Sequence, residues 1–241
     1  MLSIKESRPT AVNLAWAVNK MLEHLKPYDT NDRAKIAWLY ANELAEDDIK
    51  TNIDIGRAGL PLLKQIKSSP LNILTHCNAG WLATIDNGTA LSPIYQAFEE
   101  GIDIHVWVDE TRPRNQGMSL TAWELTQAKI PHTIISDNTG GLLMQQNKVD
   151  CVIVGADRIS IDGQVCNKIG TYLKALAAKA HNIPFYVAAP LSTIDNSFIG
   201  EKKSFEIECR HPDELLRIKG MNNDGTVSEV KIGMSTAYNP A

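Results

Sequence analysis

The chain has 241 residues, 44% hydrophobic and 22% charged, with 24 Lys plus Arg against 28 Asp plus Glu and a net charge of −4. That length and balance describe one globular body, or one with a smaller satellite, able to build its core without disulfides or structural metal. The slight acidic excess, with no basic stripe and no long run of like charge, argues against a nucleic-acid binder. The longest uncharged apolar run, Ile183 to Leu191, is too short to cross a bilayer, and Met1 to Thr10 lacks the apolar stretch of a signal peptide.

Residues 7 to 68 read as helical. Ser7 and Pro9 suit a helix start, and Ala11, Leu14, Ala15, Val18, Met21, Leu22 and Leu25 recur at helical spacing. Pro27 and Asp29 end that pattern. Asn31 to Leu44 and Asp47 to Ile66 read as two further helices, with Gly56 and Gly59 as candidate close-packing points. From Pro70 onward short Val- and Ile-rich runs alternate with helical patterns. The strands read as Leu71–Thr75, Ile104–Val108, His132–Ile135, Cys151–Val154 and Phe185–Ala188. The helices read as Thr89–Glu100, Ser119–Lys129, Gly141–Asn147 and Ile169–His181. Such alternation implies a buried parallel sheet covered on both faces. The expected fold is α/β: a helical N-terminal part, residues 1–69, followed by a Rossmann-like doubly wound parallel sheet domain, residues 70–241.

Ligands of open α/β sheets bind beyond the carboxyl ends of the strands. The segments there are Thr75-His76-Cys77-Asn78-Ala79-Gly80, Asp109 to Gly117, Ser136-Asp137-Asn138, Gly155-Ala156-Asp157-Arg158 with Asn167-Lys168-Ile169-Gly170, and Ala189 to Thr193. All five are expected on one rim, where their thiol, carboxylates, amides and cations make an active-site inventory. A single polar residue in such a loop is more often a cap or a turn; five loops together shift the balance toward a site.

Cys77 opens a turn beside Asn78 and Gly80, a setting that can activate a thiol, although a strand-end cysteine is commonly a small buried hydrophobe. Cys151 reads as core, Cys166 as packing near the site, and Cys209 has no functional context. The four cysteines are far apart with no CxxC pair, which argues against zinc and a disulfide framework and for a reducing cytoplasm. Asp157 stands at the tip of the most apolar strand, where a raised pKa would suit a general acid; a helix or turn cap is the competing reading. Asn167 and Lys168 before Gly170 bring an amide, an ammonium and a helix N-terminus together, as a phosphate requires. His76 and His105 read as satisfied structural histidines without acidic partners at ligand spacing. No GxGxxG follows a strand and no GxxxxGK[ST] occurs, so nucleotide cofactors lack their signature.

Ser7-Arg8-Pro9-Thr10-Ala11-Val12-Asn13, Thr75–Gly80, Asp109-Glu110-Thr111-Arg112-Pro113-Arg114, Leu120–Leu125, Val154–Ile159 and Asn167–Tyr172 resemble the methylthioribose-1-phosphate isomerase family, which is shared with the regulatory subunits of translation initiation factor 2B and ribose-1,5-bisphosphate isomerase. The likeness runs from Arg8 to Ala241. It implies a cofactor-free, metal-free aldose–ketose isomerisation of 5-methylthioribose 1-phosphate in methionine salvage, by a cytoplasmic homodimer with a sugar phosphate substrate and neither nucleic-acid nor membrane partners. Carried over by position, Cys77 and Asp157 match the catalytic pair, and Arg8, Gln116, Asn167 and Lys168 match substrate-binding positions. Two other functions fit the same resemblance: a non-catalytic regulatory or scaffold protein of the initiation-factor type, and an isomerase of another pentose 1-phosphate. The family's upstream Arg-Gly-Ala-Pro string and its closing segment are not within these residues, so the expectation is of a chain shortened at both ends.

Overall fold

The computed structural model describes Ile4, residues 12–195, Phe205 and residues 207–240. The expected helix start at Ser7 and Pro9, and Arg8, lie outside the described residues. Two helices lead: α1 (Val12–Leu25) and α2 (Arg33–Gln65). His24 of α1 stacks on Tyr40 of α2 with ring centroids 3.8 Å apart. The break expected between Leu44 and Asp47 does not occur, and α2 is one helix of 33 residues. Its acidic middle is satisfied sideways instead of capping a new start. Asp48 Oδ2 accepts from Asn52 Nδ2 at 3.0 Å and from the backbone N–H of Ile85 at 3.1 Å.

Then come β1 (Leu71–Thr75), α3 (Ser92–Glu99), β2 (Ile104–Asp109), a π-turn Gly117–Thr121 running into α4 (Ala122–Gln127), β3 (His132–Ile135), α5 (Thr139–Gln145), β4 (Cys151–Val154), β5 (Arg158–Ser160), β6 (Val165–Cys166), α6 (Thr171–Ala180) and β7 (Phe185–Val187). The five main strands are all parallel, in the order β3-β2-β1-β4-β7. The five expected strands are therefore all present, within a residue of their expected ends. A small sheet β6-β5-β8, with β8 (Ile194–Asp195), and a hairpin of β9 (Arg217–Met221) and β10 (Val227–Lys231) after the short α7 (Asp213–Leu216) complete the described residues.

Successive side chains of a strand point to opposite faces, and here both faces are buried. Ile73, Val106, Cys151 and Ile153 join Leu63 of α2, Leu91 before α3, Ile94 of α3 and Leu125 of α4. Leu74, Val152 and Val154 face Leu143 and Met144 of α5 and Ala178 of α6. Gly56 and Gly59 let α2 approach α3 closely: a Cβ on Gly59 would stand 2.6 Å from Pro93 Cγ. Among the described residues no helix is long and apolar enough to cross a membrane.

Candidate active site

The chain leaves β1 to build one side of the sheet, β2 then β3, and returns to build the other, β4 then β7. The strand order thus reverses between β1 and β4, and a crevice opens beyond their carboxyl ends, where α/β sheets bind ligands. Cys77 follows β1 and Asp157 follows β4, one on each side of that point. The two turns touch: a Cβ on Gly155 would lie 2.8 Å from Ala79 Cβ. A cavity of about 200 Å³ there is lined by Cys77, Gln116, Asp157, Asn167 and Lys168, with His76 in its floor. Five of the six expected site residues are brought together; Arg8 lies outside the described residues.

The Cys77 turn is held by backbone contacts from two neighbouring elements. Cys77 is non-glycine at φ 66°, and Thr111, after β2, at φ 65°. Such conformations cost about 1–3 kcal/mol each and persist where the surroundings impose them. Here the Cys77 N–H donates to Thr111 Oγ1 at 2.8 Å, and the Thr121 hydroxyl donates to the Cys77 carbonyl at 2.7 Å. Farther along the turn, fully buried Glu124 accepts from Asn78 Nδ2 (2.8 Å), the Trp81 and Leu82 N–H groups (2.9 and 3.1 Å) and the Tyr95 hydroxyl (2.7 Å). A buried carboxylate surrounded by donors folds the turn on itself.

Across the crevice Asp157 is half-buried. Its N–H donates to the Cys166 carbonyl at 2.9 Å, tying the β4 turn to β6. Cys166 is half-buried in that short strand; burial, then the Asp157 charge, pushes its thiol up. Asn167 Nδ2 donates to Thr171 Oγ1 at 3.0 Å, which fixes the amide against the first turn of α6. Gly170, at φ 103°, opens that helix, and Asn167 and Lys168 just before it line the cavity. Gln116, which lines the cavity, has its Oε1 buried without a hydrogen-bond partner.

Two expectations need correction. The β3 loop does not line the cavity: its Asp137 accepts the Thr111 and Arg112 N–H groups, each at 2.7 Å, and so shapes the β2 loop. His76 does have acidic neighbours. Its Nδ1 stands 2.8 Å from Asp109 Oδ2 and 4.0 Å from Asp137 Oδ1, while its Nε2 stands 2.7 Å from the Ile169 carbonyl. Neither carboxylate is near it in sequence; strand pairing brings them. Burial, then the Lys174 ammonium, pushes the ring down to about 3, which leaves it one proton of its own. Nδ1 faces the Asp109 carboxylate and Nε2 the Ile169 carbonyl, so the protein engages both nitrogens. His76, Asp109 and Asp137 have the spacing of a metal site, but Lys174 Nζ lies 2.7 Å from Asp109 Oδ2 and supplies the cation there.

Thr193 lines the cavity, as expected of the segment Ala189 to Thr193, whereas Asn13 was not expected there. Asn13 Nδ2 donates to Thr193 Oγ1 at 3.3 Å, joining α1 to the segment after β7. Asn13 closes the first of the recognisable strings, and that position was the available signal.

The model of the initiation factor 2 subunit family matches residues 1–234. The chain belongs to that family. Within the initiation factor 2 subunit family its curated relatives carry an enzyme name: methylthioribose-1-phosphate isomerase of Brucella anthropi is 53% identical over 99% of this chain and 67% of its own length, and that of Sulfurimonas denitrificans is 55% identical over 96% and 65%. Among solved structures, 5-methylthioribose 1-phosphate isomerase from Pyrococcus horikoshii OT3 superposes with a TM-score of 0.81 at 39% identity, over 98% of this chain and 64% of that one. The structure titled translation initiation factor eIF-2B, subunit delta, from A. fulgidus gives 0.78 at 41%, over 98% and 66%. The chain thus spans about two thirds of the length of the relatives it matches.

Proposed function

We propose that this chain carries the catalytic core of an aldose–ketose isomerase that converts 5-methylthioribose 1-phosphate to 5-methylthioribulose 1-phosphate in methionine salvage. One observation carries the reading: a thiol, Cys77, and a carboxyl group, Asp157, face one cavity from opposite sides of the strand reversal, with Asn167, Lys168 and the start of α6 beside them. A phosphate on C1 blocks the free aldehyde, so the ring must open with phosphate still attached. Asp157 in its acid form protonates the ring oxygen as the bond from C1 breaks. Hydrogen then moves from C2 to C1 while the C2 hydroxyl gives its proton to the Asp157 carboxylate, leaving a carbonyl at C2 and restoring the acid. Cys77 either takes the migrating hydrogen as a proton through an enediol phosphate or stabilises its direct passage as hydride. Lys168, Asn167 and the helix start hold the phosphate, Gln116 accepts from a sugar hydroxyl, and Arg8 completes the anion's neutralisation.

A neighbouring apolar cavity of about 630 Å³ between α1 and α2 shares Asn13, Ala83, Thr84, Thr89 and Pro190 with the first. It suits a methylthio end better than a second phosphate or a hydroxyl, and so supports this substrate over other pentose 1-phosphates. A homodimer in the cytoplasm completes the proposal; none of the described cysteines is disulfide-bonded, in keeping with a reducing compartment.

The test is turnover of 5-methylthioribose 1-phosphate, followed as ketose formation, by the wild type and by Cys77→Ser and Asp157→Asn. The expected loss is about 10²–10⁴-fold for each variant. Equal rates in all three would remove both residues from the chemistry. No turnover by a folded wild type would favour the non-catalytic initiation-factor reading, which the likeness to the A. fulgidus structure keeps open. Light scattering tests the dimer.

A further inference from the structure

Next to the cavity, which His76 helps to line, lies a set of buried polar groups with no assigned part in the reaction. His76 immediately precedes Cys77 and is 1% exposed; Asp109, at the end of β2, is fully buried, and Lys174, on α6, is 4% exposed. Lys174 Nζ reaches Asp109 Oδ2 at 2.7 Å and the Asp137 carbonyl at 3.0 Å. The imidazole spans the remaining gap, from Asp109 Oδ2 to the Ile169 carbonyl. Ile169 stands between Lys168 and Gly170, at the entrance to α6. Gly170 is pressed against the ring, since a Cβ there would meet His76 Cε1 and Nε2 at 3.0 Å, and its positive φ independently calls for glycine.

Both ring nitrogens are engaged by the protein, so His76 has no atom free to act on a ligand. What it does hold is geometry. One side of the ring is anchored to the sheet, and the other grips the segment that presents Asn167 and Lys168. We propose that His76, clamped by Asp109 and Lys174, is a positioning residue that sets the entrance of α6 against the Cys77 turn, and so fixes where the phosphate of the substrate sits relative to the thiol. The inference rests on the isomerase reading for its ligand, but the clamp itself does not depend on that reading. Reacting groups lose rate steeply when misplaced by about 1 Å, and a ligand loop held only by solvent-exposed contacts would not keep such tolerance.

The two arms of the ring can be cut separately. In His76→Asn the carboxamide nitrogen replaces Nδ1 and keeps the Asp109 side, but nothing reaches Ile169. In His76→Gln the longer side chain returns a donor to the position of Nε2. The expected results are a roughly tenfold rise in KM for 5-methylthioribose 1-phosphate and in Kd for inorganic phosphate in His76→Asn, corresponding to the loss of one well-placed hydrogen bond. His76→Gln should stay within about threefold of wild type in both, with kcat changing less than KM in each variant. Backbone amide exchange read on the full chain should show faster exchange at Thr171 to Lys174 in His76→Asn alone.

Equal KM, Kd and exchange in wild type and His76→Asn would overturn the proposal. So would equal losses in both variants, because a general packing role does not distinguish the two arms. Should the wild type not turn over the sugar phosphate, the isomerase reading fails, while the exchange comparison still decides whether His76 positions α6.

Discussion

The N–H of Cys77 is hydrogen-bonded to the side chain of Thr111, 34 residues on, at 2.8 Å, and both residues hold left-handed backbones unusual for their types. The same Thr111 hydroxyl donates to the Asp109 carbonyl at 3.0 Å. A single hydroxyl therefore connects the ends of β1 and β2 and sets the direction of the thiol. Thr111→Val keeps the shape and removes both bonds; Thr111→Ser keeps both. Turnover should fall about tenfold or more in Thr111→Val, mainly in kcat, and remain near wild type in Thr111→Ser. Steady-state kinetics on both variants checks this, and equal rates would detach Thr111 from the orientation of Cys77.

Glu124 offers a different kind of dependence. Its four donors include two backbone N–H groups that have no alternative in the buried turn. Glu124→Gln places an amide nitrogen among donors and leaves at least one unsatisfied. The expected loss is about 2–4 kcal/mol of stability, read as the shift of a denaturant midpoint. Tyr95 shares the cost: its hydroxyl donates to this carboxylate, and burial together with the Glu124 charge holds its pKa far above the ordinary value, so it stays protonated throughout the working range. Tyr95→Phe should cost less, about 1 kcal/mol.

Gln116 predicts a split between binding and rate. Its Oε1 is buried without a hydrogen-bond partner, and under the proposed function it accepts from a sugar hydroxyl. Gln116→Leu removes that acceptor at nearly constant volume. KM should rise about fivefold to tenfold with a smaller change in kcat, as for an interaction made equally in ground and transition states. A fall confined to kcat would instead place Gln116 at the reacting atoms.

The thiols should react in an order set by burial. Cys209 is exposed, whereas Cys151 lies inside β4 and burial, then the Asp150 charge, pushes its pKa up to about 12. The thiolate is the reactive form, and its share grows tenfold per pH unit below the pKa. At pH 9 only about one Cys151 in a thousand is ionised even before access is considered. Mass spectrometry after alkylation between pH 7 and 9 should find Cys209 modified first, Cys166 later, and Cys151 only on unfolding. Early labelling of Cys151 would contradict the buried sheet.

Close packing of α2 on α3 gives a test remote from the chemistry. A methyl on Gly56 would run into the Ser92 and Gln96 side chains, which themselves donate to the Asn52 and Ile53 carbonyls of α2 at 2.7 and 2.9 Å. Gly56→Ala should destabilise by about 1–3 kcal/mol despite alanine's better helix propensity, and thermal unfolding measures it.

The sheet was legible because a strand buried on both faces must be apolar at consecutive positions, and Leu71–Thr75 and Cys151–Val154 have no other reading of comparable length. The site was legible for a related reason: a polar string directly after such a strand has nowhere to go but the rim. What local pattern could not supply was pairing across the chain. His76 lies 33 residues from Asp109, and only the alignment of β1 with β2 makes them neighbours. The unbroken α2 escaped notice for the same reason, since the groups that satisfy Asp48 include a backbone N–H in the loop after β1. The strands after Thr193 are short, edge-like or twofold exposed, and carry too little periodicity to announce themselves.

The pairing of β1 with β4, Ile73 opposite Cys151 and Leu74 opposite Val152, has a consequence for how this site can change. A strand can slip only in whole residues, and even one step, about 3.3 Å, exchanges the side chains packed against the two helical layers. The thiol-to-carboxyl separation therefore cannot be adjusted gradually through the sheet. Fine adjustment is left to the two turns, so substitutions that retune the reaction for another sugar phosphate should accumulate in residues 75–80 and 155–157, while the strands beneath them stay in step.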